Sequence, residues 1–200
     1  MLGLDPIDDD TTDTVFRDVI MLALAGFVAI VIILLPHLNP PAKAVESAPP
    51  PGNVIVEIRW PDTLNTDVDL WVEAPGDVPV GYSNQGGRIF NLLRDDLGHR
   101  EDVSNVNYEV AYSRGMPPGE YTVNLHLYRN LSGQLPIPVT VVASIKQDPK
   151  ASAVQLAKAD IELNHMNQEV TAFRFRLAEG GKMVAGSLHN LPKPLRAAAQ

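Results

Sequence analysis

One aspartate lies directly before the longest apolar run of the chain, in the stretch "DTVFRDVIMLALAGFVAIVIILLP". Arg17 can extend its charged end toward the lipid headgroups, whereas the short side chain of Asp18 cannot. Loss of water around a carboxyl group raises its pKa by as much as about 3 to 5 units. A carboxyl group that faces a neighbouring helix or a narrow aqueous path can therefore carry a proton. The alternative is a hydrated group in the headgroup region, paired with Arg17.

A second set of acidic and amide residues lies in the middle of the chain. Six of its members offer hard oxygen ligands that could gather at one end of a β domain and bind calcium: Asp67, Asp69, Asp95, Asp96, Glu101 and Asn84. The alternative is ordinary turn and strand-face chemistry, because the spacing matches no known calcium loop.

Two of these carboxylates raise a specific electrostatic question. Asp67 and Asp69 are two residues apart in a predicted strand, so they share a face and repel each other. A cation is therefore expected between them. It is either a metal ion or one of the three nearby arginines: Arg88, Arg94 or Arg100.

Signatures of enzymatic chemistry are scarce in the sequence. The 5 histidines are scattered, and the chain contains neither a His-Glu-x-x-His pair, a phosphate loop nor a Gly-x-Ser-x-Gly elbow. The sequence therefore predicts a protein that is not an enzyme and requires no cofactor. His126 alternates with apolar residues and is expected to be a surface or hydrogen-bonded histidine. Trp60 is expected in the core, and Trp71, on the face of Asp69, is expected to be exposed and able to stack on a sugar.

An apolar helix must position Asp18. Residues 19–35 contain no charged side chain and rise roughly 26 Å as a helix, just enough to span hydrocarbon. The acidic start of the chain is unlike that of a signal peptide, so we expect a retained membrane anchor. The predicted organisation is an acidic N-terminus (1–14), a transmembrane helix (15–36) and a proline-rich linker (37–52). Lysine and arginine counts are nearly equal on the two sides and leave the orientation undetermined.

The remaining residues alternate between apolar and polar. Short runs such as "NVIVEIRW", "VDLWV", "NYEVAYS" and "EYTVNLHLY" are separated by turn signals, which predicts about eight strands in an antiparallel β-sandwich over residues 53–178. The run "VQLAKADIEL" also suits a helix. A strand is favoured there because the polar turn "NHMNQ" joins it to the next strand as in a hairpin. Residues 179–200 are expected to be an irregular tail.

The composition of the chain limits the classes of partner and the kinds of site that are possible. The chain has 200 residues and a formal net charge of −8, and no basic stripe could follow a phosphate backbone, so nucleic acid is excluded. The chain has no cysteine, so neither disulfides nor thiolate metal sites are available. This composition is compatible with a bacterial periplasm.

The helical segment "VFRDVIMLALAGFVAIVIILLP" resembles the N-terminal segment of the MotB, TolR and ExbD family, the smaller subunit of proton-driven motors. In that family an essential aspartate lies near the cytoplasmic end of a single membrane helix. Asp18 occupies this place. The apolar residues after it and Pro36 also occupy positions comparable to those of the family. The resemblance covers about twenty-five residues.

This resemblance implies an ion-carrying subunit in the bacterial inner membrane. Asp18 would be the proton site, and Thr14 a nearby polar group of the pore. Two copies of the chain would assemble inside a pentamer of a MotA, TolQ or ExbB type partner, with the N-terminus cytoplasmic and the β-sandwich periplasmic. A proton is favoured over sodium by the resemblance alone. The outer part of the chain departs from the family, so the cell-envelope target of the motor is not implied.

The stretches "TDVDLWVEAPGD", "GYSNQGGR" and "PPGEYTVNLHLY" resemble a second, uncharacterised family of bacterial extracytoplasmic β-sandwich domains, over residues 60–128. Such domains are mostly regarded as binding or adhesion modules. The alternative function is therefore a membrane-anchored periplasmic module that binds carbohydrate or depends on calcium, with no transport role. Asp18 separates the two hypotheses, because a simple anchor does not need it.

Overall fold

The computed structural model describes residues 9–38, 53–97, 106–148 and 150–198. The chain divides into two compact units. One contains the helix and the other is a β domain. Most of the predicted linker lies outside the described residues, as do Arg100 and Glu101.

Helix α1 spans Asp9–Leu38. It begins earlier than the predicted start at residue 15 and continues two residues past Pro36. The sequence at this start is rich in aspartate, a residue type that favours the positive end of a helix dipole. The segment Thr14–Leu34 is 21 residues long and apolar enough to cross a membrane. A signal sequence near an N-terminus meets the same criteria of length and composition.

The β domain consists of two antiparallel sheets. Its strands are β1 (Val54–Arg59), β2 (Thr66–Glu73), β3 (Phe90–Arg94), β4 (Tyr108–Ser113), β5 (Gly119–Asn130), β6 (Ile137–Ile145), β7 (Val154–Leu163) and β8 (Glu169–Leu177). The larger sheet has the order β3-β4-β1-β6-β7, and the smaller has the order β2-β5-β8. The prediction of an apolar N-terminal helix followed by an antiparallel two-sheet domain is confirmed.

The core lies between the inner faces of the sheets. Val56 and Ile58 of β1, together with Leu70 of β2 and Leu125 of β5, are fully buried in one apolar cluster. Alternation of apolar and polar residues along the strands produces these inner faces, because successive side chains point to opposite sides of a sheet. Trp60 belongs to the same cluster, as predicted.

Strand β3 has no counterpart among the predicted strands. Leu92 is buried, but its exposed neighbour Leu93 is apolar as well, so apolar and polar residues do not alternate along "FNLLR". The register against β4 shifts between Leu92 and Arg94, which indicates a bulge. An irregular edge strand of this kind lacks the period-2 signal on which the prediction depended.

Strand β7 is a strand, as predicted, but it does not form a hairpin with β8. It pairs with β6 at the edge of the larger sheet, whereas β8 pairs with β5 in the smaller sheet. The turn after β7 therefore connects the two sheets. A polar turn between two strands is equally compatible with either connection, so the sequence alone could not distinguish them.

The C-terminal segment is mostly irregular but is attached to the domain. It contains two short 3₁₀ helices, Glu179–Gly181 and Arg196–Ala198. His189 exchanges two backbone hydrogen bonds with Arg174 of β8, and Leu195 is fully buried. This segment covers the free edge of β8, where unpaired backbone groups would otherwise be open to association.

Trp71 is buried, which contradicts the prediction that it is exposed. Only 1% of its surface is accessible. Tyr82 contacts it edge-on, with the ring centroids 5.6 Å apart. A Cβ atom on Gly81 would lie 2.4 Å from the indole ring. The turn that contains these two residues therefore covers the outer face of β2, and a glycine is needed to bring it so close.

Candidate functional site

Asp18 and Thr14 lie on α1, inside the apolar segment that could cross a membrane. They are four residues apart and therefore lie on one face of the helix. Both are exposed, as are the other side chains from residue 14 to 34. An apolar helix with this much exposed surface requires either lipid or a protein partner to cover it.

The other four predicted site residues come together in the β domain. Asp67 and Asp69 lie on β2, and Asp95 and Asp96 directly follow β3. Glu109 on β4 joins them. We call these five residues the carboxylate cluster. Asp69, Asp95 and Glu109 each offer an oxygen atom, and these atoms lie within 4.8 Å of one another. The cluster therefore draws on strands of both sheets.

Glu109 is the member that the sequence reasoning missed. The apolar pattern of "NYEVAYS" places Tyr108, Val110 and Tyr112 on one face, but the structure fully buries Glu109 and Ala111 of the other face, and of the apolar set it buries only Val110. A shift of one residue exchanges the two faces of a strand. Because Ala111 is small and Glu109 is charged, the apolar pattern pointed to the wrong face.

Glu109 accepts hydrogen bonds through both of its carboxylate oxygens, and one of these bonds connects the two sheets. Oε2 accepts a hydrogen bond of 2.7 Å from the backbone N–H of Leu70, and Oε1 accepts one of 3.1 Å from that of Asp96. Among the described strands, β2 lies at the edge of the smaller sheet, so the outward N–H of Leu70 bonds to this carboxylate in place of a neighbouring strand. Burial and the charge of Asp69 raise the pKa of Glu109 well above its usual value.

Asp69 is paired with a buried histidine. It lies directly opposite His126 of β5 in the antiparallel register, and its Oδ2 is 2.6 Å from His126 Nδ1. The Nε2 atom of the same ring is buried and has no hydrogen-bond partner among the described residues. Burial raises the pKa of Asp69, although its hydrogen bond with His126 opposes the shift.

Asp67 is also buried, and its pKa rises to about 7. Burial is the largest cause, followed by repulsion from Asp69, while Arg129 acts in the opposite direction. Nη2 of Arg129 lies 3.7 Å from Asp67 Oδ2 and also donates a hydrogen bond to the carbonyl of Leu97. The expected cation beside the acidic pair is thus, at least in part, an arginine that the sequence reasoning did not single out.

Arg94 is the second guanidinium group of the site. It contacts Asp96 Oδ2 at 3.4 Å and donates a 2.8 Å hydrogen bond to the carbonyl of Val106. Of the other residues suggested by the sequence, Asn84 donates its amide to the Pro79 carbonyl in a turn. The backbone N–H of Arg88 donates a hydrogen bond to Asp77, a residue that does not belong to the cluster.

Among the residues that the structure describes, the cluster contains more acidic groups than basic ones. Five carboxyl groups face Arg94, Arg129 and His126, with Arg196 acting on Asp69 from the C-terminal segment. Two carboxylate oxygens, Oδ1 of Asp67 and Oδ1 of Asp95, are buried and make no hydrogen bond among the described residues. Buried polar atoms in folded proteins normally have a partner. Such an arrangement can hold protons or a hard cation.

Replacing Glu109 by alanine is expected to destabilise the β domain by about 2 to 3 kcal/mol. The change leaves the buried N–H groups of Leu70 and Asp96 without acceptors, and each unsatisfied group costs about 1 to 3 kcal/mol; loss of a crowded acidic group offsets part of this. Glu109→Gln keeps one acceptor and should cost less. The check is chemical denaturation of both variants, and equal stability of the alanine variant and the wild type would contradict this role.

Comparison of the chain with protein-family models, curated proteins and solved structures found no match.

Proposed function

We propose that this protein is the ion-carrying B subunit of a MotA, TolQ or ExbB type rotary motor in the bacterial inner membrane. The ion is a proton, and the N-terminus is cytoplasmic. The single observation that carries the proposal is Asp18, an ionisable group that lies, next to Arg17, inside a mostly apolar segment of membrane length. Ionisable residues within membrane spans are rare and usually functional.

The energetics of this position favour a partner. A charged aspartate near the centre of a membrane helix costs about 2.5 to 3.5 kcal/mol on insertion scales, and a position near the end of the span costs less. Other helices around Asp18 would lower this cost and shelter the group from bulk water. The exposed apolar side chains along α1 supply the surface on which such helices pack.

The β domain is the element that would transmit motion. It is a compact unit separate from the helix, with its own core. A domain of this kind can be moved as a body by a helix that turns within its partner. The cell-envelope component that it would contact is not specified by the resemblance.

The test is assembly with a multi-span partner. The full chain is co-expressed with a multi-span protein of the MotA, TolQ or ExbB type and extracted in mild detergent, and the mass of the complex is measured by native mass spectrometry. We expect two copies of this chain with five copies of the partner. A chain that purifies free of any multi-span protein under these conditions would contradict the motor proposal.

The carboxylate cluster favours a second candidate function, a membrane-anchored binding module without transport activity. Its ligand would be held by the acidic residues of the β domain, and α1 would serve only as an anchor. A carbohydrate ligand has less support, because Trp71 is buried and cannot stack on a sugar. Retention of full biological activity by an Asp18→Asn variant would favour this function over the motor.

A further inference from the structure

The carboxylate cluster has the geometry of a cation site. Oxygen atoms from Asp69, Asp95 and Glu109 lie within 4.8 Å of one another. Two ligands that coordinate one calcium ion at about 2.4 Å can be at most about 4.8 Å apart. The separations of the three oxygens therefore lie within the upper limit for ligands of one such ion.

A second observation also points to a ligand. Asp67 is 2% exposed, and its Oδ1 has no hydrogen-bond partner among the described residues. The charges of Asp69, Asp95 and Asp96 all act on this carboxyl group, so it lies within the field of the cluster. A buried oxygen without a donor is unusual in a folded protein. Arg129 lies 3.7 Å from the other oxygen of Asp67, Oδ2, and a cation bound in the cluster would reduce the repulsion that remains on this carboxyl group.

We propose that Asp69, Asp95 and Glu109 bind one calcium ion, which joins the two sheets of the β domain at the carboxylate cluster. Asp69 comes from the smaller sheet, Glu109 from the larger sheet, and Asp95 from the segment after β3. The ion would therefore hold together elements that are otherwise connected here by hydrogen bonds from Leu70 and Asp96 to Glu109. This proposal does not depend on the ion-carrying role of Asp18.

The donor atoms select calcium over other metals. All three ligands are carboxylates, which suit hard cations rather than zinc or copper. His126 already uses Nδ1 on Asp69, where it orients the carboxylate. Magnesium requires shorter bonds of about 2.0 to 2.1 Å and a nearly ideal octahedron, so the site would have to contract around it. Asp95 is only half-buried, and water can complete the coordination from that side.

Thermal unfolding of the full-length chain in detergent, after removal of metals with EDTA, tests the proposal. Both tryptophans, Trp60 and Trp71, lie in the β domain, so their fluorescence reports on that domain. We expect calcium at about 100 times its dissociation constant to raise the melting temperature by about 5 to 10 °C. Magnesium at the same concentration should produce a smaller shift, and calorimetry should give one calcium ion per chain.

Two variants and one control define the site. Asp95→Asn should weaken calcium binding at least about tenfold and should still fold, since this residue is partly exposed and follows the strand. Asp69→Asn should raise the melting temperature without calcium, because it removes repulsion, and should lose the response to calcium. Asp160→Asn, the same change at an exposed position on β7, should respond like the wild type.

Three results would overturn the proposal. They are a wild-type melting temperature that calcium does not change, an Asp95→Asn variant that binds calcium as tightly as the wild type, and an equal response to magnesium. If Asp69→Asn fails to fold, the comparison between Asp95→Asn and Asp160→Asn still decides the question.

Discussion

Replacing Asp18 by asparagine is expected to abolish proton flux through the complex while leaving its assembly intact. Asparagine has nearly the same size and polarity as aspartate but cannot alternate between a charged and a neutral form. Without a carrier group, a proton can pass the apolar segment only as an unassisted charge, which costs at least about the 2.5 to 3.5 kcal/mol that insertion scales assign to a charged side chain at the centre of a membrane helix. That cost corresponds to a decrease in flux of roughly 100-fold or more.

The measurement uses the chain and its multi-span partner reconstituted in vesicles that contain a pH-sensitive dye, with an imposed membrane potential. Asp13→Asn is the matched control, because Asp13 belongs to the same helix but lies before the segment Thr14–Leu34. We expect the control to conduct like the wild type. Undiminished flux through assembled Asp18→Asn complexes would exclude Asp18 as the ion carrier, and loss of assembly would assign it a structural role instead.

Lowering the pH from 8 to 5, without divalent cations, is expected to stabilise the β domain. The pKa of Asp67 rises from 3.8 to about 7 in the folded state. Between these values the folded protein retains a proton that the unfolded chain has lost, so stability increases as the pH falls from about 7 toward 4. Above pH 7 the Asp67 carboxyl group is ionised in both the folded and the unfolded state, and the folded state carries the full free-energy cost of a buried charge.

The groups around Asp67 determine the size of this effect. Asp69 of the same strand and Asp95 and Asp96 after β3 raise its pKa, while Arg129 of β5 lowers it. Between pH 7 and pH 5 this shift corresponds to at most about 3 kcal/mol, or a melting temperature up to about 10 °C higher at pH 5. The pKa values of Asp69 and Glu109 are raised as well, so their contributions have the same sign.

Melting temperatures measured from pH 5 to pH 8 in the presence of EDTA test this expectation. Asp67→Asn should remove a large part of the pH dependence, because the amide has no proton to lose. Asp160→Asn should retain it, since Asp160 is exposed. A wild-type domain that becomes less stable as the pH falls through this range would show that the cluster is ionised and well compensated in the absence of a metal.

The strands β1, β5 and β8 could be predicted from the alternation of apolar and polar residues, because each of them has one apolar face toward a common core. The same rule failed at β4, where the charged Glu109 faces inward, and at β3, where the adjacent residues Leu92 and Leu93 interrupt the alternation of apolar and polar residues. Local patterns report burial only when the buried residues are apolar. Glu109 is buried because it bonds to Leu70 and Asp96, and neither partner is near it in sequence.

The sequence by itself determined the apolar helix with Asp18, the antiparallel β class of the outer domain and the presence of acidic residues with oxygen ligands. These follow from composition and local periodicity, which depend on neighbours within a few residues. Only the tertiary structure decided that Asp67, Asp69, Asp95 and Asp96 meet, that Glu109 completes the cluster and that Trp71 is covered. Those outcomes depend on how two sheets pack face to face, since contacts between distant strands are set by the pairing order and not by local sequence.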